Sequence, residues 1–543
     1  MERISGGRAL TRSLIANGVD TVFALPGVQL DHLFNAFHDE GNALRIVNAR
    51  HEQGCAYMAF GYAWAGGRPG VCAVVPGPGL LNTTAAICSA WAVNAPMLTI
   101  SGQIPSYAIG KGVGHLHEIP DQLATMKTLT KWAHRIEHPS NAPQAVNEAF
   151  RIMQSGRPGP VEIEMALDTL AQVGAVEQLP AAEPDAPPPV DTDAIEKAAK
   201  LLGAAERPII MVGGGAMDAG PELLALAELL QAPVIAHRTG KGIVDGRHWL
   251  SHALVGGYRL WPQADAVLAV GTRFLQKQMW GVDKNLPVVR LDIDPVEINR
   301  NGPPQVAICA DAKQGLAALV DAVAKHNRKR DSREEELTTL KQETRAFLEE
   351  KLGTQVAYAD AIRAALPEDG IYVDDLTQVS YVARESFEMY RPRSFVTTGY
   401  QGTLGAGYGT ALGVKVACPD RPVVSVNGDG GFMYNVQELA TAVLYNIPVV
   451  GIVFADGAFG NVKRMQQELH GGRVLATDLR NPDFVAMAES FGAIGLRANG
   501  PDELKGAIEK GLGAGGPVLI EVPVGDVKFN DPWQHIRPPK LRG

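Results

Sequence analysis

The stretch VVSVNGDGGFMYNVQELATAVLYNIPVVGIVFADGAFGNVKRMQ, residues 423–466, contains the pattern that decides the fold. Val423–Val426 is a short apolar run, typical of a strand in a sheet that is covered on both faces. A glycine turn with one acid follows it, and a helical pattern begins near Asn435. Val449–Phe454 is a second apolar run, and it ends in another turn that carries an acid.

The segment between the two runs has helical periodicity, because its apolar residues recur three and four positions apart. These residues are Val436, Leu439, Ala440, Val443 and Leu444. A strand, a crossover helix and a second strand form a βαβ unit, in which the two strands are parallel. The sequence therefore predicts a parallel sheet.

Two acids follow the two predicted strands. Ligands bind at the carboxyl ends of parallel strands, so Asp429 and Asp456 are expected to converge on one cation. The glycines beside Asp429 allow phosphate oxygens to approach the backbone, and a helix N-terminus offers free amides. Two carboxylates and a phosphate suit Mg²⁺ or Ca²⁺. A plain surface turn is the alternative for an isolated Gly-Asp-Gly.

Composition limits the class of protein. The chain has 543 residues, of which 46% are apolar and 20% charged, and this length fits about three domains. Its net charge of −9 gives no reason to expect nucleic acid as a partner. No apolar run is long enough to span a membrane, and the first residues lack the apolar core of a signal peptide. Five cysteines without a CxxC pair indicate buried thiols in a reducing compartment, so we expect a cytoplasmic protein.

Apolar runs alternate with helical patterns along most of the chain, which predicts an α/β protein of three doubly wound parallel-sheet domains. The predicted segments are a first domain at 1–176, a proline-rich linker at 177–190, a central Rossmann-like domain at 191–326, a charged connector at 327–355, a third domain at 356–526 and a tail at 527–543.

Two further glycine-bearing motifs lie in the first domain. His51-Glu52-Gln53-Gly54 opens a helix, where an acid also serves the helix dipole, so a structural role is as plausible as a catalytic one for Glu52. Gly77-Pro78-Gly79 is a rigid turn with little bulk to obstruct a ligand. In the central domain, Gly213-Gly214-Gly215 follows a strand and suits either a nucleotide or close helix packing.

Together these motifs resemble the thiamine-diphosphate enzymes of the acetolactate synthase group, which includes pyruvate oxidase, benzoylformate decarboxylase, benzaldehyde lyase and the 2-hydroxyacyl-CoA lyases. The motifs are His51-Glu52-Gln53-Gly54, Gly77-Pro78-Gly79, Ser101-Gly102-Gln103, Gly402-Thr403-Leu404-Gly405 and Gly428-Asp429-Gly430 with Asp456. The resemblance covers nearly the whole chain. It implies a pyrimidine-binding, a central and a diphosphate-binding domain, in that order.

The resemblance assigns cofactor ligands residue by residue. Thiamine diphosphate would contact Pro26, Pro78, Asn82, Gln378, Gly402, Leu404, Gly428, Gly430, Gly431, Phe459, Gly460 and Asn461. Mg²⁺ would be held by Asp429, Asp456 and the backbone carbonyl of Ala458. The family usually has Asn-Asn where this chain has Ala455-Asp456, and the extra carboxylate should tighten the metal and repel the diphosphate somewhat.

Glu52 would be the catalytic carboxyl that bonds N1′ of the aminopyrimidine and exchanges a proton with it. The cofactor then serves as an electron sink for a carbonyl substrate. In this family, Glu52 of one subunit faces Asp429 of another, so the resemblance implies a homodimer with a shared active site, commonly within a homotetramer.

The motifs define the cofactor better than the small-molecule substrate. Candidate substrate contacts are Gln29, Gln103, His117 and Met465, with His115 as a weaker alternative to His117. Departures from acetolactate synthases, such as Leu116-His117-Glu118 for the usual Phe-Gln-Glu, leave bound FAD uncertain. We expect a carboligase or decarboxylase of 2-oxo acids, that is, a transferase or a lyase.

Two alternatives stay open. One is a lyase that cleaves 2-hydroxy ketones or 2-hydroxyacyl-CoA, for which Gly213–Gly215 with Arg273 is the candidate nucleotide pocket. The other is a non-catalytic cofactor-binding paralogue, although a pure binding protein has no need for the proton-relay carboxyl of Glu52.

Overall fold

The computed structural model describes residues 1–525, 527–538 and 540–543. The predicted end of the third domain, residue 526, lies outside the described residues. Within those residues, no helix combines the length and the apolar character needed to cross a membrane. Three six-stranded parallel sheets flanked by helices dominate the chain, and they confirm the predicted fold class.

The first sheet is built from the N-terminal part of the chain. Its strands in spatial order are Arg45–Asn48, Thr21–Ala24, Gly70–Val74, Met97–Gln103, Val161–Ala166 and Trp132–Ile136. The helices around it are Gly6–Ala16, Asp31–Asp39, Glu52–Gly66, Pro78–Asn82, Thr84–Val93, Gln122–Leu129, Ala142–Gln154 and Leu167–Ala171. A separate antiparallel pair joins Glu2–Ser5 to Val173–Val176.

The central sheet has the strand order of a dinucleotide-binding fold, 3-2-1-4-5-6 when its strands are numbered along the chain. In spatial order the strands are Ser251–His252, Val234–Ala236, Pro208–Val212, Ala266–Val270, Val288–Asp292 and Val306–Cys309. Its helices are Thr192–Ala204, Gly220–Leu230, Leu254–Leu260, Gln276–Met279, Pro295–Asn299 and Ala312–His326.

The third sheet repeats the strand order of the first, 2-1-3-4-6-5 when each is numbered along its own domain. Its strands in spatial order are Phe395–Thr397, Ile371–Asp374, Val423–Gly428, Val450–Ala455, Val518–Pro523 and Ile494–Arg497. The remaining helices are Glu334–Ala365, Gln378–Ser386, Gly407–Ala417, Asp429–Phe432, Glu438–Leu444, Gly460–Leu469, Phe484–Ser490, Pro501–Leu512 and Trp533–Ile536.

The opening stretch forms the predicted βαβ unit, in which Gly428 pairs with Phe454 in parallel register. Its helix begins at Glu438, later than the periodicity predicted, because the buried Asn435 side chain instead donates to the carbonyl of Gly405 at 2.6 Å. A separate short helix, Asp429–Phe432, follows the first strand directly. Asp429 therefore lies at the start of a helix.

The first and third domains pack against each other through two buried helices, Glu52–Gly66 and Gly407–Ala417. Glycines allow their backbones to touch, because a Cβ at Gly413 would lie 1.9 Å from the carbonyl oxygen of Met58. A Cβ at Gly61 would lie 2.1 Å from the carbonyl oxygen of Thr410. No larger residue fits at either position without separating the helices.

Two later segments also connect domains. Helix Glu334–Ala365 runs through the predicted connector into the third domain with a kink at Leu352, so the predicted boundary at 355/356 falls inside a helix. In the tail, Trp533 packs on the ring of Tyr381, and Leu541 donates its backbone N–H to Trp280 of the central domain. The proline-rich tail thus lies along the protein surface.

Candidate active site

A cavity of about 220 Å³ opens at the carboxyl ends of strands Val423–Gly428 and Val450–Ala455. It brings together eleven of the predicted residues: Gln378, Leu404, Gly428, Asp429, Gly430, Gly431, Asp456, Ala458, Phe459, Gly460 and Asn461. Parallel sheets place ligands at this end of their strands, so the predicted diphosphate and metal residues share one crevice.

Asp429 is 2% exposed and is held by three donors. Its Oδ1 accepts the backbone N–H of Gly430 at 2.7 Å. Its Oδ2 accepts the N–H of Gly457 at 2.8 Å and the side-chain amide of Asn481 at 2.6 Å. These bonds fix the carboxylate at the mouth of the turn. Sequence reasoning missed Asn481, which is 52 positions from Asp429 and has no recognisable spacing.

Asp456 lies on the neighbouring strand end. Burial raises the pKa of Asp456 to about 6, and the nearby charge of Asp429 contributes in the same direction. One of its oxygens accepts the N–H of Ala458 at 3.0 Å, while the other would lie 2.2 Å from a Cβ at Gly460. The carboxyl groups of Asp429 and Asp456, which repel each other when both are charged, therefore line the same small cavity. Within the described residues, no three or more His, Cys, Asp or Glu side chains cluster as a metal site, so a cation here would need other oxygen ligands.

The cavity lining also contains an acceptor side chain, that of Gln378. Gln378 is the first residue of a helix, and its buried Oε1 receives no hydrogen bond from any residue that the structure describes. Beside it, buried Asp375 accepts the N–H of Gly407 at 3.0 Å and that of Leu376 at 2.7 Å. Burial raises the pKa of Asp375 to about 6. Asp375 thereby anchors the turn that presents Leu404 to the cavity.

Glu52 lies in a separate group of residues in the first domain. Its helix is capped by His51, whose Nδ1 accepts the N–H of Gln53 at 3.1 Å. The Asn82 side chain donates to Glu52 Oε2 at 3.0 Å, and a Cβ at Gly79 would lie 3.3 Å from Oε1. Pro26, Pro78 and Asn82 are exposed residues of the same domain. Neither Glu52 nor these three residues line the cavity that contains Asp429.

A buried carboxyl of the third domain holds the start of the Glu52 helix. Both oxygens of Glu438 lie 3.2 Å from the backbone N–H of Arg50, and Thr441 Oγ1 donates to Oε2 at 2.7 Å. A Cβ at Gly54 would lie 2.3 Å from Glu438 Oε1. Burial raises the pKa of Glu438 to about 7. This contact, which the sequence did not predict, ties the two domains together next to Glu52.

The predicted substrate residues separate into three environments. Gln29 is buried, and its Oε1 lies 3.1 Å from Nδ1 of His117, while its Nε2 donates to the carbonyl of Leu116 at 3.0 Å. Gln103 is also buried and donates to Glu164 at 3.3 Å, so it points into the first domain. His115 contacts the ring of Tyr107.

Two other predicted contacts lie near the edge of the diphosphate cavity. Met465 is 43% exposed on helix Gly460–Leu469, outside the cavity lining. Gly402 has a φ of +56° and lies just before Leu404, and a Cβ at this glycine would meet no atom closer than 3.9 Å. Both residues face open space in a single chain.

The glycine triplet of the central domain has a packing role. A Cβ at Gly213 would lie 2.5 Å from the carbonyl oxygen of Gly271, and one at Gly215 would lie 2.7 Å from the Cα of the same residue. Arg273 donates to the carbonyl of Ala92 at 3.2 Å and lies over the ring of Tyr400. The triplet and the arginine are therefore both engaged in contacts within the protein.

Comparison with known proteins places all three domains in one family. The N-terminal TPP binding domain of thiamine pyrophosphate enzymes matches residues 4–125. The central domain of the same enzymes matches residues 195–319, and their C-terminal TPP binding domain matches residues 375–522. The three matches follow one another along the chain in the order that the resemblance implied, and each contains most strands of one sheet.

Relatives that match along nearly their whole length support the same family. The chain is 37% identical to a probable 2-ketoarginine decarboxylase of Pseudomonas aeruginosa over 96% of this chain and 94% of the relative. It is 33% identical to a probable acetolactate synthase large subunit of Methanocaldococcus jannaschii over 96% and 92% of the two chains. It is 30% identical to the acetolactate synthase isozyme 3 large subunit of Escherichia coli over 100% and 98%.

The three matched domains and the named enzyme relatives define a thiamine-diphosphate-dependent enzyme that acts on carbon–carbon bonds. Within that family, the chain belongs to the acetolactate synthase group. The predicted family and enzyme class are therefore confirmed, and the hypothesis of a non-catalytic paralogue is set aside.

Proposed function

We propose that this protein uses thiamine diphosphate and Mg²⁺ to decarboxylate a 2-oxo acid and to transfer the remaining fragment to a proton or a carbonyl acceptor. The observation that carries the proposal is the cavity in which Asp429 and Asp456 meet a glycine turn at a helix start. Its natural occupant is a cation with a polyphosphate.

The residues of the cavity fit this cofactor. The glycines at 428 and 430 place no side chain between the backbone and a phosphate group, and a cation would balance the charge of the paired carboxylates. The carbonyl of Ala458 would complete the protein ligands of Mg²⁺. The free acceptor of Gln378 is available to a donor group on the cofactor, and Leu404 would support its thiazolium ring.

Bound thiamine diphosphate supplies a carbon nucleophile and an electron sink for the bond next to a carbonyl. Glu52 would hold or deliver the proton at N1′ of the pyrimidine ring, and Asn82 orients its carboxyl. His117 and Gln29 form a hydrogen-bonded pair beside the same domain edge and would contact the substrate. Gln103 stays a weaker candidate because it is buried and donates to Glu164 inside the first domain, and Met465 stays one because it lies 43% exposed on the other domain.

The relatives favour a 2-oxo acid over the alternative substrates. One is named for decarboxylation of 2-ketoarginine and the others for acetolactate synthesis. Cleavage of 2-hydroxyacyl-CoA would need a nucleotide pocket. Gly213, Gly214 and Arg273 line a cavity of about 130 Å³ in which a nucleotide would have to bind, but none of these relatives is named for a CoA substrate. FAD in the central domain stays a prediction for the same cavity.

We infer that two copies of the chain complete each active site. In one chain the Glu52 group and the Asp429 cavity do not share a lining, although the mechanism needs both. Large apolar side chains near the two half-sites are exposed, including Leu81, Tyr434 and Val462. A second copy would cover them and supply the missing half. A homodimer is the minimum assembly, and a tetramer is a pair of such dimers.

The test is a substrate screen with purified protein, thiamine diphosphate and Mg²⁺. Pyruvate, 2-ketoarginine, branched 2-oxo acids, 2-hydroxy ketones and acyl-CoA compounds are supplied, and carbon dioxide release is measured with the organic products. The proposal expects cofactor-dependent carbon dioxide release from at least one 2-oxo acid, slowed on the order of 10²–10⁴-fold in Glu52→Gln. Turnover of a 2-hydroxy ketone or acyl-CoA alone would replace it with the lyase hypothesis.

A further inference from the structure

Gln122 is a buried amide that no motif predicted. It is 1% exposed and begins helix Gln122–Leu129, which Asp121 caps. Its Nε2 donates to Glu164 Oε2 at 2.8 Å and to the carbonyl of Gly102 at 3.1 Å. Its Oε1 accepts the backbone N–H of Gly77 at 2.9 Å. One side chain thus connects three separate segments of the first domain.

Neighbouring charge fixes the direction of this amide. Arg135 Nε pairs with Glu164 Oε1, which keeps that buried carboxyl an acceptor. Ser101 Oγ also lies 3.1 Å from Nε2. Rotating the amide by 180° would place its oxygen against a carboxylate and a carbonyl, and its nitrogen against the N–H of Gly77. Only one orientation satisfies all of these groups.

The backbone that Gln122 holds supports both candidate functional side chains of this domain. Gly77 has a φ of +58°, and a Cβ there would lie 2.3 Å from the carbonyl oxygen of His117. His117 itself has a φ of +69°, an unusual conformation for a residue other than glycine. The same turn continues to Gly79, which lies against Glu52. A shift of Gly77 would therefore move the surroundings of both His117 and Glu52.

We propose that Gln122 is a positioning residue for the pyrimidine-side half of the active site. Its amide holds the Gly77 turn, and through this turn it holds the Glu52 carboxyl and the His117 segment in register. This inference rests on the proposed function for its catalytic consequence. The structural part of the proposal, that Gln122 orders the turn, depends only on the hydrogen bonds of Gln122 within the protein. An apolar replacement would leave the Gly77 N–H without its acceptor and would remove one donor from Glu164 Oε2.

The test compares Gln122→Met with Ser101→Ala. Methionine matches the length of glutamine but has no amide. Ser101→Ala removes a hydroxyl of the same network, one that donates to Glu162 at 2.7 Å. This variant keeps the hydrogen bond from the Gly77 N–H to Gln122. Both variants are measured by hydrogen exchange of the peptide that covers residues 77–82 in the cofactor-free protein. With cofactor, the exchange rate of the thiamine C2 proton and the Kd for thiamine diphosphate are measured by NMR and calorimetry.

Gln122→Met should exchange the 77–82 amides at least about tenfold faster and slow C2 proton exchange roughly 10- to 100-fold, as expected for a misplaced catalytic group. Its Kd for the cofactor should stay within about threefold of wild type, because the diphosphate residues lie elsewhere. Ser101→Ala should reproduce neither change. Should Gln122→Met fail to fold, Gln122→Asn is measured in the same way, since its shorter amide also cannot span the gap.

The inference is overturned if the 77–82 amides keep wild-type protection, or if the two variants change C2 exchange equally. These outcomes differ from failure of the proposed function. A wild-type protein that does not bind thiamine diphosphate would remove the function, while amide exchange at 77–82 would still decide whether Gln122 orders the turn.

Discussion

The first and third sheets share one strand order, yet their equivalent turns carry different chemistry. After the third strand of its domain, the first sheet has Gly77-Pro78-Gly79, and the third sheet has Gly428-Asp429-Gly430. The first turn contains no acid and is held by the amide of Gln122, while the second presents a carboxylate at a helix start. In the proposed function the same topology supplies two half-sites, and the turn residues would decide what each half binds.

The position of the acid differs too. In the first domain, Glu52 follows the second strand and begins a long buried helix. In the third domain, Asp429 and Asp456 follow the third and fourth strands, where two strand ends converge. A single carboxyl next to neutral amides suits proton exchange with a ring nitrogen. Two converging carboxylates suit a cation.

Glu52→Gln gives the largest expected effect and tests the first half-site alone. Loss of a proton-transferring group costs on the order of 10²–10⁴ in rate, so turnover and C2 proton exchange should fall by that factor. Affinity for thiamine diphosphate should change little, since the amide keeps the size of the side chain. Asn82→Ala serves as a graded comparison with a smaller loss. Unchanged C2 exchange in Glu52→Gln would remove the proton role.

Asp429→Ala tests the second half-site. Removal of a metal ligand should raise the Kd for thiamine diphosphate in the presence of Mg²⁺ by more than the roughly 10- to 100-fold typical of outer-shell loss. Calorimetry measures the Kd, and Asp502→Ala, an exposed acid at another helix start, is the matched control. Wild-type affinity in Asp429→Ala would contradict the metal assignment. The 77–82 amides of the first half-site should be unaffected.

Asn481→Ala should have a smaller effect at the same half-site. Its amide donates to Asp429 at 2.6 Å, so removing it should lower Mg²⁺ affinity by about 10-fold through loss of orientation. Titration of cofactor binding against Mg²⁺ checks this. An increase in Mg²⁺ should restore full binding, which it should not do in Asp429→Ala. Equal effects of both variants would mean that Asn481 does more than orient the carboxylate.

Glu438 allows a test of the contact between the two domains through pH. Its pKa is raised from 4.5 to about 7 in the folded protein, so folding favours the protonated form. The stabilisation is complete below about pH 4.5 and is lost as pH rises through about 7. This difference in the pKa of Glu438 between the unfolded and folded states corresponds to roughly 3 kcal/mol of stability at most.

Glu438→Gln should remove this pH dependence and change activity at neutral pH least of the four variants. Chemical denaturation at pH 5 and pH 8 measures the free energy of unfolding of wild type and variant. The difference between the two proteins removes the contribution of other titrating groups, such as Asp375, because both proteins contain them. The wild type should lose more stability than Glu438→Gln across that interval. Parallel pH profiles would contradict a buried, titrating Glu438.

Local sequence patterns predicted the parts of the site that follow strands. Asp429, Asp456 and the glycines were recognisable because strand ends and turns are adjacent in the chain. The helix start at Glu438 was misplaced by three residues, because the tertiary contact of Asn435 with Gly405 outweighs the helical pattern. Hydrophobic periodicity contains no information on such a contact.

The residues that the sequence did not reveal act across long separations. Asn481 reaches Asp429 over 52 positions, and Glu438 reaches Arg50 over 388. Polar side chains of this kind look like ordinary surface or helix residues until the fold brings them together. The roles of Glu52 and of the substrate residues came from family resemblance, and they stay predictions.

Helix Glu334–Ala365 has a mechanical consequence. Because it passes without a loop from beside the central domain into the third, any bending between these domains is expected at the kink at Leu352, where the helical dihedrals are interrupted. A protease should cut in the non-helical residues 327–333 before it cuts near residue 355. A fragment of the third domain should therefore begin ahead of Glu334, since a start at residue 356 would remove most of helix Glu334–Ala365.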